Sequence, residues 1–170
     1  MLVPTPPPVN PVRFSASASV SRIGDSITLS WQGLPAGNKH WLGFYRKGMV
    51  PGGPSSLKWN YVAAPAGGQS FSLASFAEGE YFFGLFLNDG YEEAAPRLAL
   101  RLLKRGDING DGRINGDGRI DAADREAQRA AMGACAGDSR YQPLANFDAD
   151  ACITQADYRA WFDIFRQQKP

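Results

Sequence analysis

Oxygen-bearing side chains recur at alternate positions in the C-terminal third of the chain, a spacing that suits a hard cation. The run Asn146-Phe-Asp148-Ala-Asp150-Ala-Cys152-Ile-Thr154-Gln-Ala-Asp157 puts Asn, Asp, Asp, the Cys152 carbonyl, Thr and Asp at positions 1, 3, 5, 7, 9 and 12 of a twelve-residue turn. Those positions turn their oxygens inward around calcium in an EF-hand-like loop. Ile153 is the apolar eighth residue. The one departure is Ala151, where glycine is expected for the sharp turn.

An earlier stretch repeats the theme imperfectly. Ile108-Asn-Gly-Asp-Gly-Arg113 is followed directly by an identical copy, Ile114-Asn-Gly-Asp-Gly-Arg119. Counting back from Asp124 as position 12 gives Asp121 at 9, the Arg119 carbonyl at 7, Asp117 at 5 and Asn115 at 3, but Arg113 at position 1. Arginine cannot ligate a cation, so Asp107 or Asp111 is expected to fold back and fill that place while the extra residues bulge out. A second, weaker calcium between Asp107, Asn109 and Asp111 is the alternative. Two calcium sites are expected in all.

Each loop needs an element to hold it, and each is followed by a helical segment. The first, Ala122 to Met132, is rich in Ala and Arg. The second carries Tyr158, Trp161, Phe162 and Phe165 at i, i+3, i+4 and i+7, a stripe expected to form this small domain's core. No convincing helix precedes either loop, and position 12 is Asp rather than Glu in both.

From about Arg105 to Arg166 these residues resemble the duplicated F-hand repeats of bacterial type I dockerin domains. The resemblance implies calcium binding and docking to a cohesin domain, usually to attach secreted polysaccharide-degrading enzymes to a scaffold or cell surface. Loop positions 10 and 11 help set partner choice in that family; here they are Ala122-Ala123 in one repeat and Gln155-Ala156 in the other. Their difference argues against a symmetric, dual binding mode. A domain this small needs staples. Calcium is one, because ligands absent from the unfolded chain turn binding energy into folding energy. A Cys135 to Cys152 disulfide is the other: at position 7 the ligand is the carbonyl, so the Cys152 thiol is free to bridge. That disulfide implies an oxidising, extracellular or cell-surface location.

The first hundred residues have a different grammar. Short runs rich in β-branched and aromatic residues, broken by Gly, Pro and Asn, predict seven strands: Val12 to Val20, Ser26 to Gln32, His40 to Lys47, Leu57 to Ala63, Gln69 to Ala74, Glu80 to Leu87 and Arg97 to Leu103. Ile27, Leu29 and Trp31 alternate with polar neighbours, as a half-buried strand requires. Phe76-Ala-Glu-Gly79-Glu-Tyr81 has tyrosine-corner spacing. With Trp31 in the second strand, this half resembles fibronectin type III and immunoglobulin-like domains. His40-Trp-Leu-Gly-Phe-Tyr45 and Gly84-Leu-Phe-Leu-Asn-Asp-Gly-Tyr91 narrow the likeness to small modules appended to secreted bacterial hydrolases. The expected organisation is a Pro-rich linker over 1–11, an immunoglobulin-like seven-stranded β-sandwich over 12–103 and a dockerin-like domain over 104–170.

Composition bounds the partners. Among 170 residues there are 18 Lys/Arg and 17 Asp/Glu, a formal charge of +1. No field of that size recruits nucleic acid or an anionic membrane. No apolar run approaches the roughly 18 residues a bilayer span needs. The opening Met1-Leu-Val-Pro-Thr-Pro-Pro-Pro lacks the basic and apolar regions of a signal peptide, so a fragment of a longer hydrolase is expected. A monomer is expected.

Catalytic lures are weak. Gly24-Asp25-Ser26 copies the nucleophile block of GDSL-type hydrolases, but the only His, His40, has no Asp two or three residues before it. Arg105-Gly106-Asp107 spells an integrin-type tripeptide at the domain junction, a bare three-letter match. His40 reads as a strand-edge polar residue. Trp41, Tyr45, Trp59 and Tyr61 are the alternative site, since alternation could gather them on one sheet's outer face to bind polysaccharide, with the calcium module serving only stability. The leading expectation is a non-catalytic attachment module.

Overall fold

The computed structural model describes residues 11–37, 39–108 and 120–167. The chain divides into two compact units. The first comprises the chain up to Val20 with Asp25–Ala74 and Gly79–Arg101; the second takes Ser21–Gly24, Ser75–Glu78 and everything from Leu102 on.

Eight strands form two sheets: β1 (Arg13–Ala16), β2 (Val20–Arg22), β3 (Ser26–Gln32), β4 (His40–Arg46), β5 (Lys58–Val62), β6 (Ala66–Ser72), β7 (Gly79–Phe86) and β8 (Leu98–Leu103). The sheet orders are β1-β3-β6 and β2-β8-β7-β4-β5. Phe71 of β6 lies 5.0 Å from Phe44 of β4 and 4.9 Å from Phe83 of β7, so the sheets share a core. Leu29, Leu85 and Leu100 of these strands are buried as well. Each such side chain contributes about 1.5–3 kcal/mol by leaving water.

Two strand expectations are corrected. Val12 to Val20 is not one strand but two, in different sheets: Ser17 N–H still donates to Thr28 of β3, whereas the Ser19 carbonyl accepts from Arg101 of β8. Small residues at 17–19 let the chain cross between sheets. The strand expected from Gln69 begins three residues earlier, at Ala66. Gly67 and Gly68 read as a break, yet Gly67 opposes Trp31, and a Cβ there would come within 2.7 Å of the indole. Glycine is what lets the ring lie on β6.

The outer face of the five-stranded sheet carries a second apolar layer. Gly43 of β4 pairs with Gly84 of β7, and neither position tolerates a side chain: a Cβ on Gly43 would meet Tyr45 at 2.6 Å and Trp41 at 2.8 Å, and one on Gly84 would strike Phe86. Rings cover the bare backbone instead. Trp41 stacks on Phe86 with centroids 4.4 Å apart, and Tyr45 on Phe82 at 5.1 Å.

The second unit holds α1 (Ala122–Ala131), a 3-10 turn at Pro143–Ala145 and α2 (Gln155–Gln167). Its core is Ile108, Ile120, Ala131, Ala145, Ile153 and Trp161. Tyr158 and Phe165 pack against that core. Phe162, placed in the same stripe by sequence, is instead 40% exposed and stacks only along the helix surface, on Tyr158 and Phe165. No described helix is long and apolar enough to cross a membrane.

Candidate functional site

In the second loop, short side-chain-to-backbone bonds fold the chain so that alternate residues turn the same way. Asn146 Oδ1 accepts from Ala149 N–H (2.7 Å), Asp148 Oδ1 from Asp150 N–H (3.2 Å) and Asp150 Oδ1 from Cys152 N–H (2.8 Å). The left-handed residue is Ala149, φ 62°, at position 4; Ala151 at position 6 does not adopt positive φ. The sharp turn is thus made two residues before the glycine position, which is why an alanine serves at 151.

Asp157 closes the loop and starts α2. Its Oδ1 accepts from Phe147 N–H (2.6 Å), and its Oδ2 from Thr154 N–H (2.7 Å) and Thr154 Oγ1 (3.3 Å). Thr154 caps the helix, accepting from Ala156 N–H. Burial alone would raise the Asp157 pKa, but backbone donation from Thr154, Phe147 and Asp148 outweighs it and holds the carboxyl below its ordinary value.

The first loop has the same anchor. Asp124 Oδ1 accepts from Ile108 N–H (2.8 Å) and Oδ2 from Asp121 N–H (2.9 Å), while Asp121 caps α1 through Ala123 N–H (2.7 Å). Ile108 therefore stands where Phe147 stands, at position 2, and Asp107 where Asn146 stands, at position 1. Two further pairs fix the correspondence. Asp107 N–H donates to Lys104 O, as Asn146 N–H does to Pro143 O. Trp161, four residues past Asp157, donates to Gly106 O (3.0 Å), and Gln128, four past Asp124, donates reciprocally to Ala145 O (3.2 Å).

The anchor spans 16 residues in the first loop and 10 in the second. The difference is six, the length of one copy of the repeat, so the extra residues enter between position 2 and the buried isoleucine at position 8, Ile120 in one loop and Ile153 in the other. Asn109, Asp111, Asn115, Asp117 and Arg119 lie outside the described residues. Among the described residues, no three His, Cys, Asp or Glu side chains form a group that could hold a metal ion.

No protein-family model matches this chain, and no curated protein matches it.

Cys135 and Cys152 form a disulfide across an antiparallel bridge in which Ile153 N–H donates to Ala134 O and Ala136 N–H to Ala151 O, both at 2.8 Å. Ala122, Ala123, Gln155 and Ala156 are all exposed on the first turns of their helices. One residue of the second unit escaped the sequence reading: Arg22, 9% exposed, donates to Leu144 O (3.2 Å) and Asn146 O (3.0 Å) and lies 5.0 Å over the Phe147 ring. An arginine inside a β-run carries no local signal of such a role.

His40 is fully buried rather than at a strand edge. Its Nδ1 accepts from Asn88 N–H (3.4 Å), which leaves Nε2 to donate to Pro35 O (3.0 Å). Both ring nitrogens are thus engaged by backbone, and Ser26 sits on β3 in the other sheet.

Proposed function

We propose that the second unit is a calcium-binding, dockerin-like attachment module of a secreted bacterial protein, joined in one chain to an immunoglobulin-like sandwich. The observation that carries this reading is the doubled anchor: Asp124 and Asp157 each accept from the backbone N–H of their helix's cap residue, Asp121 or Thr154, and each reach back to position 2 of their own loop. A carboxylate offers about four lone-pair sites. Both carboxylates stand at position 12 of their loops, where a calcium ligand is expected.

In the second loop Asp148, Asp150 and Asp157 would hold calcium together with Asn146, Thr154 and the Cys152 carbonyl, half of the set being neutral oxygens. In the first loop Asp107, rather than Asp111, takes position 1, with Asp121 and Asp124 completing the described part and Asn115, Asp117 and the Arg119 carbonyl supplying the rest. The cation would offset the crowding of acids. The exposed pairs Ala122-Ala123 and Gln155-Ala156 then form the face offered to a cohesin-like partner. Extracellular placement is supported by the disulfide.

Calorimetric titration of calcium into chelator-stripped protein tests the reading. Two binding events are expected, one lost in Asp148→Ala and the other in Asp107→Ala. A silent titration would defeat it. A single event lost only in Asp148→Ala would restrict calcium to the second loop.

A further inference from the structure

The aromatic layer outside the five-stranded sheet does not end in a covered surface. Trp41, itself 9% exposed, forms the floor of an open cleft of about 260 Å³ in the first unit. Trp59, 52% exposed, and Tyr91, 56% exposed, stand nearly perpendicular to it, at 82° and 83°. Tyr61, 50% exposed, meets Trp59 at 81°. Three large rings left in water at one place, above a floor that two glycines are needed to seat, mark a binding surface rather than leftover hydrophobicity.

The polar side of the cleft is built as deliberately. Asp89 follows Asn88 in a turn where both are left-handed, φ 50° and 59°, a conformation that Asn and Asp adopt more readily than other non-glycine residues. That turn holds the Asp89 carboxylate between Tyr61 OH, which donates to Oδ1 (2.6 Å), and Lys39 Nζ, which donates to Oδ2 (2.7 Å). The Lys39 bond first, and the Tyr61 bond second, hold Asp89 below its ordinary pKa, so it is an acceptor at neutral pH. Each of its oxygens keeps a lone pair for a ligand hydroxyl.

We propose that this cleft binds a neutral polysaccharide, with sugar rings stacked against Trp59 and Tyr91 and a hydroxyl donated to Asp89. Pyranose rings present apolar C–H faces edged by hydroxyl donors, which matches aromatic walls beside a preorganised acceptor. Lys39 balances the Asp89 charge, so neither an acidic nor a basic ligand is favoured. A proline-rich peptide fits less well, because its backbone offers mainly carbonyl acceptors to the Asp89 acceptor, and two donors of the cleft are already engaged: Trp41 Nε1 donates to Gly90 O (3.0 Å) and Tyr61 OH to Asp89. The site is independent of the calcium reading.

Affinity electrophoresis of the whole chain through gels containing xylan, galactomannan, xyloglucan or hydroxyethylcellulose tests this. Retardation by at least one is expected, unchanged by a chelator and weakened about ten-fold in Trp59→Ala or Tyr91→Ala, with smaller loss in Asp89→Asn. Both aromatic side chains are exposed, so their variants should melt like the parent. Absence of retardation in all four gels, or retardation that survives Trp59→Ala, would overturn the proposal. Binding of a peptide of residues 1–12 in place of the glycans would do the same and assign the cleft to proline-rich chain.

Discussion

The two loop–helix repeats share a skeleton and differ in everything hung on it. Both have a carboxylate that accepts from its helix's cap residue and from position 2, a buried isoleucine at position 8, and a helix residue donating to the carbonyl ahead of the opposite loop. Yet that donor is a glutamine on α1 and a tryptophan on α2, and the anchors span 16 and 10 residues. What is kept is the set of buried backbone groups that must be satisfied; what varies is side-chain volume and loop length. The reason is energetic asymmetry. An orphaned buried N–H costs about 1–3 kcal/mol, whereas lengthening a loop costs only fractions of one.

Removing the anchors tests the equivalence most severely. In chelator, Asp157→Ala should lower stability by about 3 kcal/mol, since it orphans Phe147 and Thr154 N–H groups, and Asp124→Ala somewhat less. Thermal melts would reveal one silent substitution, which would end the claim that the repeats correspond. Because the Asp157 pKa is depressed on folding, its contribution is complete above the ordinary value of 3.8 and is lost as pH falls through the folded value. Asp157→Asn should therefore flatten the acid limb of a pH–stability curve.

The disulfide stiffens only the second repeat. It closes a separation of 17 residues, so Cys135→Ser with Cys152→Ser should cost about 3 kcal/mol. Denaturant unfolding of the double variant measures it; a midpoint equal to that of the parent would show that the hydrogen-bonded bridge suffices alone.

The smallest effect sharpens the comparison most. Deleting Ile114 to Arg119 should equalise the loops and change stability by only about 0.4 kcal/mol, the closure entropy of the longer loop. If the deletion unfolds the unit, the extra residues do not sit between positions 2 and 8.

The spacing of Asn146 to Asp157 made the second loop legible because an alternating oxygen pattern is local. The first loop was ambiguous between Asp107 and Asp111, because linear counting cannot see that Ile108 N–H meets Asp124. Strand β3 was legible from its alternation. The split of Val12 to Val20 was not, since a change of sheet depends on which partner backbone is near. Gly67 misled for the same reason: a glycine that seats a ring looks like a glycine that ends a strand.

The sequence by itself determined the periodicities: which stretches alternate, where helices follow loops, where oxygens recur, and that two cysteines were at hand. Only the tertiary structure decided which face each ring took, that Phe162 stayed outside while Trp161 went in, that Arg22 serves the second unit, and that Trp59, Tyr61, Tyr91 and Asp89 meet at one cleft. The physical reason is range. Capping and alternation act over a few residues of one chain segment, while burial and pairing are settled between segments that the sequence sets dozens of residues apart.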